Sequence, residues 1–342
     1  MPAGAAPPFP MATTRPQSNI NCDDLVASAI AEALDACYRD IEFDGISYAL
    51  RIPFGENGER RDDEGYSQIV FGGGKADPAR LWEAVEGLLD SEDFRRYADE
   101  LGKPGSKTLV FELAARRWRV DLDASLADRI RAGDYPGDRS TVYVLHERSG
   151  LDPSSIYDYL YCVGSLGLDC AGFVWSVERS VGRALGLDLD ASFAADYGKT
   201  AAEWPLWAGI WLFDPANGRC RDVGDRFADL KPGDIILFRG REGAFRHSAV
   251  IASIDRGQGL LRYAQCTDWA PRAERGVHES LIRFDPRDPE ARLGDESSVW
   301  TQKILPAFEG EPGLVYWRTD GDRWRCRWER GVSLVVRLGA LR

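Results

Sequence analysis

Residues 229–267 read DLKPGDIILFRGREGAFRHSAVIASIDRGQGLLRYAQCT, and their punctuation decides the architecture. Pro232 and Gly233 make a turn, after which DIILF reads as a buried strand. HSAVIASI and LLRYAQC read as a second and a third strand, with glycine-containing turns between them. Short connections of this kind join antiparallel neighbours, so the stretch is an antiparallel meander.

Upstream, GLDCAGFVW at residues 167–175 opens an apolar run to about Leu185. Phe173, Val174, Val177, Val181 and Leu185 recur at roughly helical spacing, with Glu178, Arg179 and Arg183 assigned to other faces. Cys170 thus stands at the start of a helix that precedes the meander. Between them, residues 188–223 are rich in Trp, Pro and Gly without clear periodicity, which predicts an insertion packed over the domain surface. Core packing is the expected role of Trp204, Trp207 and Trp211.

Nearer the N-terminus, residues 22–41 predict an amphipathic helix with Val26, Ile30, Ala33, Leu34 and Cys37 on one face. A glycine-rich stretch then leads into a helix with Asp77 as N-cap and Pro78 in its first turn. It is no phosphate loop, because Ala76 follows Lys75 where a magnesium-binding hydroxyl is required. SEDFRRYADELG predicts another helix, and KTLVFELA and RRWRVDLD predict strands. Close to the C-terminus, RWRCRWERGVSLVVRL alternates tryptophan and cysteine against arginine, which predicts a strand with one solvated face. The chain is therefore α+β: a tail over residues 1–22, expected to be disordered, an N-terminal α+β region over 23–130, and a larger domain over 131–342 that ends in a β extension.

Composition narrows the function. A formal net charge of −12 repels polyanions, so nucleic acid is excluded as a partner. No run approaches the roughly 18 apolar residues of a membrane span. The proline-broken N-terminus lacks the features of a secretory signal, which predicts a cytoplasmic protein or one exported by a specialised route. Seven cysteines at wide spacing, with no C-x-x-C pair, predict a reducing compartment and neither metal nor cofactor.

The chemistry rests on Cys170. A thiol at a helix N-terminus or beside an imidazolium is shifted toward the thiolate, which is the nucleophile. Of the three histidines, His247 opens a strand of the meander where its ring can serve a helix packed on that sheet. His146 and His278 lie in strand-like contexts as surface or satisfied residues. On the next strand Leu261, Tyr263 and Gln265 share a face, so Gln265 or Tyr263 orients the imidazole. Asp169 is a helix N-cap, a ligand for a substrate amine, or both. The other six cysteines are expected to be small buried hydrophobes.

These residues resemble the NlpC-type cell-wall cysteine peptidases. The family's Asp-Cys-Ser-Gly-Phe-Val motif is matched by Asp169-Cys170-Ala171-Gly172-Phe173-Val174, and its Leu-x-Pro-Gly-Asp by Leu230, Pro232, Gly233 and Asp234. Its catalytic histidine opens the next strand, as His247 does, and its Tyr-x-x-Gly is matched by Tyr161 and Gly164. The resemblance covers roughly residues 155 to 285 and implies a papain-like catalytic domain. It further implies Gln265 as the third catalytic residue, Tyr161 beside the active site and a peptide or muropeptide substrate. Ala171 stands where the family has a serine that helps hold the substrate's free amine, a departure from the usual γ-D-glutamyl to diamino-acid specificity. The expected reaction is hydrolysis of an amide bond. Acyl transfer to another acceptor and a catalytically silent binding module are the alternatives.

Overall fold

The computed structural model describes residues 22–55, 78–101, 108–113, 116–121, 142–145, 151–162, 166–239, 243–267, 276–301 and 333–341. The tail to residue 21, Asp77 with the glycine stretch before it, His146, Gly164 and Cys326 lie outside them, as do the side chains of Tyr161 and Cys162.

Helix α1 (Cys22–Asp35) buries Ala29, Ile30, Ala33 and Leu34. It stops at Asp35 rather than continuing to Ile41, because the residues that follow form a hairpin. Strands β1 (Tyr38–Phe43) and β2 (Ile46–Arg51) pair antiparallel around Asp44 and Gly45, both at positive φ. Asp-Gly suits such a two-residue turn, and it outweighs the weak helical periodicity on either side. Cys37 keeps its buried place, its Sγ donating to the Ala33 carbonyl at 3.3 Å.

Helices α2 (Pro78–Leu89) and α3 (Glu92–Leu101) follow. A three-stranded sheet comes next, with β3 (Thr108–Leu113) antiparallel to β4 (Arg116–Asp121) and β5 (Val142–Leu145) parallel to β4. Helix α4 (Pro153–Cys162) precedes the helix that carries the thiol, α5 (Cys170–Ala184). The expected insertion holds helices α6 (Leu189–Asp196) and α7 (Trp204–Trp207) and the short strand β6 (Cys220–Asp222). Of its tryptophans only Trp204 is in the core. Trp207 and Trp211 are 56% and 41% exposed, against the core role expected of them. Trp211 packs edge-on against Tyr197 and Trp204 at the surface, and Lys199 lies over the ring of Trp207.

The meander is β7 (Ile235–Arg239), β8 (Phe245–Asp255), β9 (Leu260–Thr267) and β10 (Gly276–Arg283), with β11 (Val299–Thr301) at its end. Strand β12 (Leu334–Leu338) returns to complete a seven-stranded sheet of order β11-β10-β9-β8-β7-β12-β6, in which every neighbour is antiparallel. Both faces are buried. Ile235, Leu237, Val250, Ala264 and Cys266 join the core that includes α1 and α5, and Ile236, Phe238, Ile251 and Tyr263 join a second cluster with Trp300 and Val335. A strand covered on both sides has no polar face to alternate, which is why DIILF reads as one apolar run.

The segment after β2 ties this sheet to the thiol helix. The Ile52 carbonyl accepts from Val277 N at 3.2 Å, Leu168 N donates to the Pro53 carbonyl, and Gly55 N donates to the Leu168 carbonyl. That approach requires glycine on both sides. A Cβ on Gly167 would lie 2.5 Å from the Pro53 oxygen, and one on Gly276 would lie 2.1 Å from the Ile52 oxygen. The first described residues therefore share one core with the thiol helix.

Candidate active site

Cys170 is the first residue of α5 and is half-exposed. Asp169 caps the helix: its backbone is extended, with φ −79° and ψ 170°, and its carboxylate accepts from Gly172 N. A carboxylate in this position satisfies a free helix donor and leaves the thiol at the positive end of the peptide dipoles.

Helix α5 packs on β8 and β9, and its Phe173, Val174, Val177 and Val181 belong to the core that also holds Val250 and Ala264. Cys266 Sγ donates to the Leu168 carbonyl at 3.1 Å, so the residues entering α5 lie against the C-terminal part of β9. Because β8 and β9 are antiparallel, the beginning of β8 is at that same end, and His247 is there. The helix start, His247 and Gln265 thus lie at the same end of the sheet, where the strand register puts His247 and Gln265 on the face of Phe238 and Tyr263 and α5 on the face of Val250 and Ala264.

His247 and Gln265 are buried, and His247 Nε2 meets Gln265 Oε1 at 2.7 Å. A carbonyl oxygen only accepts, so Nε2 carries the proton and Nδ1 is the basic nitrogen of the neutral ring. Gln265 Nε2 in turn donates to Ser280 Oγ on β10 at 3.1 Å. Phe238, the direct cross-strand partner of His247, places its ring 5.6 Å from the imidazole, centroid to centroid. Of the two orienting groups left open by the sequence, Gln265 meets the imidazole. Tyr263 packs in the second cluster, with its ring 5.5 Å from that of Trp300.

His278 is satisfied, as expected, but it is buried rather than at the surface. Its Nδ1 lies 3.1 Å from the Gly276 carbonyl, so that nitrogen holds the proton. Burial lowers its pKa from 6.5 to about 4, with Arg51 adding to the shift and the Gly276 bond opposing it. Between those values the unfolded chain binds the proton that the folded ring refuses, so this contribution to stability is present above pH 6.5 and is lost as pH falls toward 4. The loss is on the order of 3 kcal/mol. His278→Gln should flatten the urea-midpoint profile between pH 4 and 6.5, and an unchanged slope would contradict the buried neutral imidazole.

Glu178 departs from its expected place. It is fully buried on α5, and neither carboxyl oxygen has a hydrogen-bond partner. Burial, reinforced by Asp234, raises its pKa well above the ordinary carboxyl range. Among the other cysteines, Cys37, Cys220 and Cys266 are buried as expected, whereas Cys22 is exposed at the first turn of α1. Burial pushes the Cys37 and Cys220 thiols up to about 12, far from nucleophilic use at neutral pH.

Among the described residues no three His, Cys, Asp or Glu side chains gather as a metal site, and no helix is long and apolar enough to cross a membrane. No family model, curated protein or solved structure matches the chain.

Proposed function

We propose that the chain is a papain-like cysteine hydrolase that cleaves an amide bond in a peptide, with wall-derived muropeptides as its substrate class. The observation that carries this reading is the 2.7 Å pairing of His247 with Gln265 at the end of the sheet where α5 presents Cys170. Cys170 attacks the scissile carbonyl as its proton passes to His247 Nδ1. The imidazolium then protonates the leaving amine, and water releases the acyl group from sulfur. Gly172 N is committed to Asp169, so the oxyanion is met by backbone N–H groups closer to Cys170. Gln265, a neutral amide, fixes the direction and tautomer of the ring without adding charge.

Purified protein incubated with muropeptides should yield products whose mass rises by one water per bond cut, read by mass spectrometry. Limiting iodoacetamide at neutral pH should label Cys170 first and suppress that turnover. Products joined to an added amine in place of water would make the protein a transferase. Labelling of another cysteine first, with Cys170 inert, would remove the nucleophile.

A further inference from the structure

We infer that the far end of α5 carries a second binding site, for a small zwitterion: a free amino acid or short peptide with both ends charged and an apolar side chain. The site goes beyond the hydrolase reading and does not depend on it.

The last turns of α5, the tight turn after it and the start of α6 border a pocket of about 640 Å³, within the size range of small-molecule sites. Its walls are fixed before anything binds. Leu187 N donates to the Gly182 carbonyl at 2.8 Å and Gly186 N to the Arg183 carbonyl at 3.0 Å, with Gly186 at φ 77°. A Cβ on Gly182 would lie 2.7 Å from Leu189 Cγ, so the turn closes tightly on the helix it leaves. Asp188 caps α6 by accepting from Ala191 N at 2.9 Å, and Ala201 and Ala202 complete the lining. At the rise of an α-helix, Arg179 and Arg183 are about 13–20 Å along α5 from Cys170, so the pocket is separate from the thiol.

The charges select the ligand. Arg179 and Arg183 stand one turn apart on α5 and line the same hollow. Arg179 is already paired: its Nε meets Asp190 Oδ2 at 2.5 Å, and Trp175 Nε1 donates to the other oxygen of Asp190 at 2.9 Å. The Arg183 guanidinium is exposed, and among the described residues no carboxylate pairs with it. Asp188 is exposed too, its carboxylate bonded to Ala191 N and met by no cation among the described residues. One open positive group and one open negative group therefore border a space otherwise lined by Leu187, Leu189, Gly186 and the two alanines. A plain anion would gain Arg183 and be repelled by Asp188, and a plain cation would meet the reverse. A zwitterion satisfies both through charge-assisted hydrogen bonds, with its side chain on the apolar lining.

At pH 7, L-leucine added to 15N-labelled protein should move the amide signals of Gly186, Leu187 and Ala201 with a Kd of about 1 mM, a strength within reach of so small a ligand. L-leucine amide, which lacks the carboxylate, and N-acetyl-L-leucine, which lacks the charged amine, should each bind at least about tenfold more weakly, the loss expected with one hydrogen bond to a charged group. Arg183→Gln and Asp188→Asn should weaken L-leucine by a similar factor. Both keep the fold, since Arg183 is exposed and an asparagine still accepts from Ala191 N to cap α6. N-acetyl-L-leucine or acetate binding as tightly as L-leucine would overturn the zwitterion and leave a plain anion site. Signals that stay still well above that Kd would remove the site, and binding unchanged in both variants would place it elsewhere.

Discussion

On the mechanism proposed, Cys170→Ala is expected to lower amide hydrolysis by at least about 10⁴-fold, the scale on which removal of a catalytic nucleophile acts. Cys170 is half-exposed at the first residue of α5, outside the fully buried core. Asp169 caps the helix through its own carboxylate in either protein, so the thermal midpoint should hardly move. His247→Ala should cost about 10²–10⁴-fold, the usual weight of general acid–base catalysis. Combining the two should cost no more than Cys170→Ala alone, because a base without its nucleophile has no proton to take. Turnover in folded Cys170→Ala near the wild-type rate would end the thiol mechanism, and additive losses would mean that the two side chains do not act together.

The largest effect on stability is expected from Arg337→Ala. Asp234, in the turn before β7, is fully buried, and Arg337 of β12 meets both of its oxygens, through Nε at 2.6 Å and Nη2 at 2.8 Å. Burial pushes this carboxyl up, and the guanidinium opposes that shift and holds the charge. The same carboxylate accepts from Lys231 N at 2.7 Å, which closes the Pro232-Gly233 turn. Removing Arg337 strands a desolvated carboxylate, which typically costs about 3–5 kcal/mol. Arg337→Ala should lower the urea midpoint accordingly, and pairing it with Asp234→Asn should recover part of the loss, since the asparagine keeps an acceptor for Lys231 N. Arg337→Lys should fall between, because an ammonium cannot bond both oxygens side by side. A midpoint within about 0.5 kcal/mol of wild type, the range of an ordinary surface substitution, would show the pair to be dispensable.

The sequence is most readable where a local pattern decides the local structure. The helix starting at Cys170, the turn at Pro232-Gly233 and the three strands after it lie close to where the residues place them, because capping, turn chemistry and apolar runs act within a few neighbours. The same proximity puts Gln265 two positions from Tyr263 on one face, and a hydrogen bond then distinguishes them. The hairpin at Asp44-Gly45 carries a turn signal of this kind, obscured by the helical spacing that precedes it.

Other features follow from partners far along the chain. Nothing near Glu178 indicates that its side of α5 is covered, since burial there depends on the packing around α5 and not on neighbours in sequence. Ser280 has no motif, and its hydroxyl meets Gln265 only because of the register in which β10 pairs with β9. Trp207 and Trp211 differ from Trp204 in what the insertion happens to cover, which composition does not encode.

The place of β12 between β7 and β6 has a consequence for synthesis. Ribosomes deliver β6 and β7 roughly a hundred residues, and the end of the meander roughly fifty residues, before Leu334. Until then β7 keeps an open, apolar edge, and β6 has no neighbour in its sheet. An unpaired edge of this kind recruits other strands, so nascent or prematurely terminated chains are the ones most exposed to aggregation and to chaperone capture. The buried pair that closes on that strand, Arg337 with Asp234, forms only after β12 has been made, later than every other strand of its sheet.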